Sequence, residues 1–191
     1  MQLSPQTIRT MCRSSNDHQP LIAPFIERTV HKATGLSGGL SCAGYDIHLE
    51  DLKAVVRPDR KPAFLMSYKT KSRLPHPKGT GLLWEIPPQT GVLGVTRERF
   101  VIPSNICMHY FNKSSLARQF IHAAATLAEP GWQGWLTLEL YNSTDKPIVL
   151  HQGQPIGQVV FNLLDEPSQS PYTGKYQNQP CVPIQAVQEH G

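Results

Sequence analysis

The chain has 191 residues, of which 39% are hydrophobic and 17% charged, with a formal charge of +4; this length suits one domain that buries roughly 70% of its unfolded surface. The 17 prolines and 14 glycines exclude an architecture of long helices, no apolar run approaches the roughly 20 residues of a membrane span, and the absence of a Lys/Arg tract argues against nucleic acid as partner. Cys12, Cys42, Cys107 and Cys181 are scattered, with no CxxC pair and no secretory signal before them, so a cytoplasmic protein with reduced thiols is expected.

In chain order, "LSPQTIRTMC" predicts a short helix, with Ser4 as N-cap, Pro5 at the first helical position and Ile8 and Met11 on one apolar face. Extended chain follows from "LIAPFIERTV". The small residues of "GLSGGLSCAG", 35 to 44, read as a loop ahead of the alternating strand "YDIHLE". Residues 57 to 81 carry seven Lys/Arg among Pro and Gly and read as an exposed basic hairpin or loop. "TGVLGVTRERFVIP" reads as strand, turn, strand, and "ICMHYFN" as a strand. "SSLARQF" reads as a helical turn or two capped by Ser114. "GWLTLELYN" is a strand, and "PIVLHQGQPIGQVVFNLL" two strands around a turn at Gly153. Together these predict an all-β barrel or jelly roll with a few short helices. The tail "PYTGKYQNQP" lacks apolar periodicity and is expected to fold against something else; 165 to 191 is assigned to it within a single domain spanning 1–191.

Two features carry chemistry. In "NKSSLAR" the hydroxyls of Ser114 and Ser115 lie between Lys113 and Arg118. The spacing fits a solvated surface helix, or a site where hydroxyls and helix N–H groups donate to phosphate oxygens that the cations neutralise. Twenty-one residues beyond Arg118, Glu139 shares a strand face with Thr137 and Tyr141, opposite Leu136, Leu138 and Leu140. It is a solvated carboxylate if that face is open, and a general base if the face lines a pocket. The small residues 123 to 125 leave room for a flat ring. No HExxH and no HxE…PCxxC pattern occurs, so no protein-bound zinc is expected.

Taken together, "NKSSLAR", "EPGWQGWLTLELYN", "GQPIGQVVF" and "PYTGKYQNQ" resemble the dCTP deaminases of the dUTPase-related superfamily. The likeness is close over about 85 to 179 and weaker before it, with 31 to 43 and 57 to 81 resembling insertions. It implies a distorted barrel assembled as a homotrimer with active sites between subunits, and Mg²⁺ accompanying the triphosphate. Carried over, Lys113, Ser114, Ser115, Leu116, Ala117 and Arg118 hold phosphates, and Glu129 the deoxyribose. Thr137 and Leu138 hold the base through main-chain groups. Glu139 is the catalytic acid/base, and Tyr172, Lys175 and Gln179 close over the triphosphate. The activity implied is deamination of dCTP to dUTP. The alternatives are dCMP or a 5-modified deoxycytidine nucleotide as substrate, a bifunctional enzyme forming dUMP, and a catalytically silent nucleotide-binding regulator. The chain departs from the family pattern in having Lys113 for Arg and Glu129 for Asp, and its segment from Arg118 to His122 is shorter.

Overall fold

The computed structural model describes residues 1–13, 19–54, 74–75 and 82–188. Helix α1 (Pro5–Arg13) opens with Ser4 Oγ accepting the Thr7 N–H at 3.2 Å and buries Ile8, as its spacing predicts. Among the described residues twelve strands follow: β1 (Ile22–Ala23), β2 (Thr29–Val30), β3 (Ser37–Leu40), β4 (Tyr45–Ala54), β5 (Leu74–Pro75), β6 (Leu82–Ile86), β7 (Thr90–Val101), β8 (Ile106–Asn112), β9 (Ile121–Ala124), β10 (Gln133–Asn142), β11 (Ile148–His151) and β12 (Pro155–Leu163). Helix α2 (Ser114–Ala117) lies between β8 and β9.

All the paired strands are antiparallel. The principal sheet runs β9-β10-β7-β4-β12-β8. Its two outer strands, β8 and β9, are consecutive in sequence and joined by α2. The sheet therefore curls into a half-barrel with α2 at the seam, in keeping with the all-β expectation. β11, β6 and β5 form a separate small sheet. The core inside the curl includes Tyr45, Ile47, Leu49, Phe100, Met108, Leu138, Leu140, Ile156 and Phe161, each at most 2% exposed. No helix among the described residues is long and apolar enough to cross a membrane.

Three expectations are corrected. The stretch read as strand, turn, strand is one continuous strand, β7, because its internal glycine makes packing space rather than a turn: a Cβ on Gly94 would lie 2.7 Å from Leu140 Cδ1 and 3.0 Å from Leu49 Cδ1. The small-residue loop at 35 to 44 contains a strand, β3, whose glycines let β4 approach. A Cβ on Gly38 would fall 2.3 Å from His48 Nε2. Ser114 does not cap α2; Lys113 stands at the N-cap, with no side-chain cap hydrogen bond. The two strands read around the turn at Gly153 are present as β11 and β12, and each pairs elsewhere, β11 with β6 and β12 with β4 and β8. Of the basic segment 57 to 81, only β5 lies within the described residues; the rest of that expectation falls outside them.

Candidate active site

The Lys113 to Arg118 cassette is the seam of the half-barrel. Leu116 is 4% exposed and anchors the turn in the core. The N–H groups of Leu116 and Ala117 both donate to Lys113 O, at 2.9 and 3.0 Å, so those of Ser114 and Ser115 stay outside the helical ladder. Ser114 and Arg118 are exposed, and Ser115 and Ala117 half-buried. Hydroxyls and a guanidinium thus gather at or near the surface around a buried leucine, a donor set suited to an anion.

The cassette opens onto a cleft of about 450 Å³ whose lining includes Arg28, Ser41, Asp46, Lys113, Ser114 and Gln158. Lys113 is 8% exposed, and its ammonium sits 3.0 Å from Asp46 Oδ2 and 3.3 Å from Ser37 Oγ. Asp46 also accepts from Ser37 Oγ at 3.2 Å and from Gln158 Nε2 at 3.4 Å, and Gln158 reaches Ser41 Oγ at 2.9 Å. Arg28, Ser37, Ser41, Asp46 and Gln158 were not singled out from the sequence. Arg28 to Asp46 lie on one stretch of loop and strand and Gln158 on distant β12, and "GYDIHLE" gives Asp46 no mark beyond its place in an alternating strand.

Two residues along β4, His48 and Glu98 of β7 are buried together. The ring Nδ1 lies 2.5 Å from Glu98 Oε1, the His48 N–H donates to Oε2 at 2.9 Å, and the Tyr45 hydroxyl reaches Oε1 at 3.5 Å. The pair ties β4 to β7.

Glu139 stands on β10 between Leu93 of β7 and Ala124 of β9. The alternation read from "WLTLELYN" holds: Leu136, Leu138, Leu140 and Asn142 point into the core, while Glu139 and Tyr141 face outward. Partial burial against the neighbouring strands raises the Glu139 carboxyl above the usual range, and its own backbone N–H offsets this in part. Tyr110 of β8, held protonated chiefly by burial and then by the negative Glu139, donates to Ile156 O at 3.2 Å. β9 ends at Ala124, opposite Glu139, and the next bridge on that side is from Gln179 to Gly134. Residues 136 to 138 face the gap between them.

The tail borders this gap. Trp132 Nε1 donates to Tyr176 O at 2.8 Å, Trp135 N to Gln179 O at 3.1 Å, and Gln177 Nε2 to the carbonyls of Gly131 and Tyr172 at 2.8 and 2.9 Å. Gln179 is 7% exposed and donates to Thr137 Oγ1, which also accepts from Ile184 N at 3.2 Å. The tail that lacked periodicity thus docks on β10 of its own chain through hydrogen bonds rather than an apolar face. Tyr172 packs on the core and takes the Tyr176 N–H, while Lys175 lies over the Tyr176 ring at 5.5 Å. Glu129 is exposed. Of the residues singled out from the sequence, Thr137 and Gln179 are brought into direct contact. Lys113 and Ser114 line a cleft whose walls, among the described residues, include neither Glu139 nor the tail.

Gly134 makes the tail docking possible. Its φ is +145°, and a Cβ there would lie 2.7 Å from Gln179 N and 2.9 Å from Gln179 O. Gly134→Ala should therefore release the tail and speed tryptic cleavage after Lys175 by about tenfold at matched temperature. Unchanged cleavage would show that the tail is held without that close approach.

The molecule is thus a half-barrel with the 113 to 118 cassette at its seam and a partly desolvated carboxylate on β10. A family model described as dCTP deaminase-like matches residues 2–164. A dCTP deaminase of Gemmatimonas aurantiaca is 32% identical over 186 residues, covering 94% of this chain and 97% of that protein. One of Thermococcus gammatolerans is 40% identical over 92 residues, 48% of this chain, and the match spans 59% of that relative's length. The crystal structure of 2'-deoxycytidine 5'-triphosphate deaminase from Agrobacterium tumefaciens superposes with a TM-score of 0.58 at 17% identity, over 85% of this chain and 46% of the other, a likeness of fold. The chain belongs to the dCTP deaminase-like family.

Proposed function

We propose that the protein hydrolytically deaminates dCTP to dUTP and ammonia, supplying the precursor of dUMP in thymidylate synthesis. The observation that carries this reading is Glu139, a carboxylate of raised pKa beside the gap bounded by the end of β9 and the tail. In the proposed pose the cytosine ring lies along Thr137 and Leu138, and Glu129 meets the sugar. Ser114, Ser115 and Arg118 meet the phosphates. Glu139 takes a proton from water and the hydroxide adds to C4. The carboxyl returns that proton to the ring nitrogen; the proton of the new C4 hydroxyl then passes by way of the same carboxyl to the amino nitrogen, and the C–N bond breaks to release ammonia as the C4 carbonyl forms. General acid–base catalysis of this kind supplies about 10²- to 10⁴-fold, so positioning must provide much of the remainder.

The cassette cleft and Glu139 do not share one cavity within the described chain, which supports sites completed by a second copy in a homotrimer. Exposed Phe111, Phe120, Leu127 and Tyr141, 54%, 64%, 43% and 40% accessible, flank the seam and supply apolar surface for that contact. Light scattering should give a trimer; a fully active monomer would contradict it.

Mg²⁺ is held in nucleotide sites by one or two carboxylates, phosphate oxygens and water, and Asp46 supplies one carboxylate in the cleft. That donor set fits a cation arriving with the triphosphate, where it would neutralise phosphate charge. No group of three His, Cys, Asp or Glu gathers among the described residues.

A second reading, with dCMP or a 5-modified deoxycytidine nucleotide as substrate or with hydrolysis carried on to dUMP, is favoured by one observation: the Lys113 ammonium is already paired with Asp46. The kcat/KM values for dCTP, dCMP and 5-methyl-dCTP separate the two. The first reading expects dCTP to lead; a preference for dCMP selects the second.

A further inference from the structure

The arrangement of Lys113 raises a problem that its solution turns into a mechanism. Lys113 is 8% exposed, and its ammonium is held at 3.0 Å from Asp46 and 3.3 Å from Ser37. Asp46 is itself 6% exposed, with Ser37 and Gln158 as its other partners. For Lys113 to turn to a phosphate it must leave Asp46, and stranding a buried carboxylate is costly unless another cation takes its place. A polyphosphate brings such a cation with it. Both side chains line the same cleft, where a bound polyphosphate would meet them together.

We propose that Asp46 is a positioning residue that exchanges partners when a polyphosphate binds. It releases the Lys113 ammonium to the phosphate oxygens and turns to the divalent cation, directly or through its water. The pair is thus a latch that couples polyphosphate affinity to divalent cation. A bare polyphosphate meets a cleft in which Asp46 both repels it and withholds Lys113. This inference rests on the cassette being the phosphate subsite and adds to it a role for Asp46.

Calorimetry with inorganic tripolyphosphate and with dCTP, each in EDTA and in excess Mg²⁺, tests it. Mg²⁺ also changes the charge of the phosphate itself, so the comparison between variants is decisive. Wild type should gain about tenfold in affinity on adding Mg²⁺, within the usual range of coupling between two ligands. Asp46→Asn should bind more tightly than wild type in EDTA and keep less than about a third of the Mg²⁺ gain. Lys113→Gln leaves Asp46 without its cation. It should bind more weakly in EDTA and gain at least about threefold more from Mg²⁺ than wild type does, a result that stands even if Asp46→Asn does not fold. An Asp46→Asn variant with the full wild-type gain, or a Lys113→Gln variant whose gain equals that of wild type, overturns the exchange. Tripolyphosphate showing the predicted pattern while dCTP binds no better than it does would keep the latch and reject the deoxycytidine reading.

Discussion

Glu139→Gln is expected to lower deamination by at least about 10³-fold while dCTP still binds within about tenfold of wild type. The amide keeps the length and hydrogen-bonding reach of the carboxylate but cannot accept a proton. Glu139 faces outward, and partial burial raises its carboxyl in the fold, so its ionised form mildly opposes folding. That cost is present above the folded pKa and is relieved as pH falls through it. The Gln variant should accordingly melt no lower than wild type at neutral pH, which separates a chemical defect from a structural one. In the wild type, the base must be ionised, so kcat/KM should fall on the acid side through a pKa above the ordinary glutamate range. Single-turnover deamination with calorimetric binding of dCTP measures both halves of the prediction. Turnover near wild type in the Gln variant would remove Glu139 from the mechanism.

The second large effect is expected at Arg118. It stands at the C-cap of α2, exposed, with its N–H bound to Ser114 O at 3.1 Å. Lys113 is committed to Asp46 in this arrangement, which leaves Arg118 as the cassette's outward cation. A guanidinium can meet phosphate with two parallel hydrogen bonds. Arg118→Ala should weaken kcat/KM for dCTP by about 2–5 kcal/mol once the pair is desolvated in the complex, or roughly 30- to several thousand-fold. The loss should be smaller for a nucleotide with fewer phosphates. A change below about threefold would place the phosphates away from α2.

Much of this architecture could be read from single residues. Ser4 and Pro5 marked the start of α1, and "ICMHYFN" coincides with β8. The alternation of "WLTLELYN" placed Glu139 on the outer face because a strand whose other face is leucine has only one way to bury itself. What failed to show were positions where side-chain absence does the work. Gly94 and the Gly38–Gly39 pair look like turn residues, yet they lie inside strands because neighbouring side chains or backbone need the space a Cβ would fill. The candidate site divided along the same line. Residues contiguous in one motif, 113 to 118, were legible together, whereas the cleft they open onto draws on Arg28, Ser41, Asp46 and Gln158, whose convergence depends on the β3–β4 and β4–β12 pairings. The tail's docking rests largely on backbone and side-chain hydrogen bonds to β10 and the residues before it, which leave no apolar period in its sequence.

The most direct test of the account is the product formed when purified protein is given dCTP and dUTP separately in Mg²⁺, with nucleotides resolved by chromatography and ammonia measured in parallel. The account predicts one ammonia for each dUTP formed from dCTP, and no ammonia from dUTP. Diphosphate release from dUTP, with no ammonia from any deoxycytidine nucleotide, would contradict it.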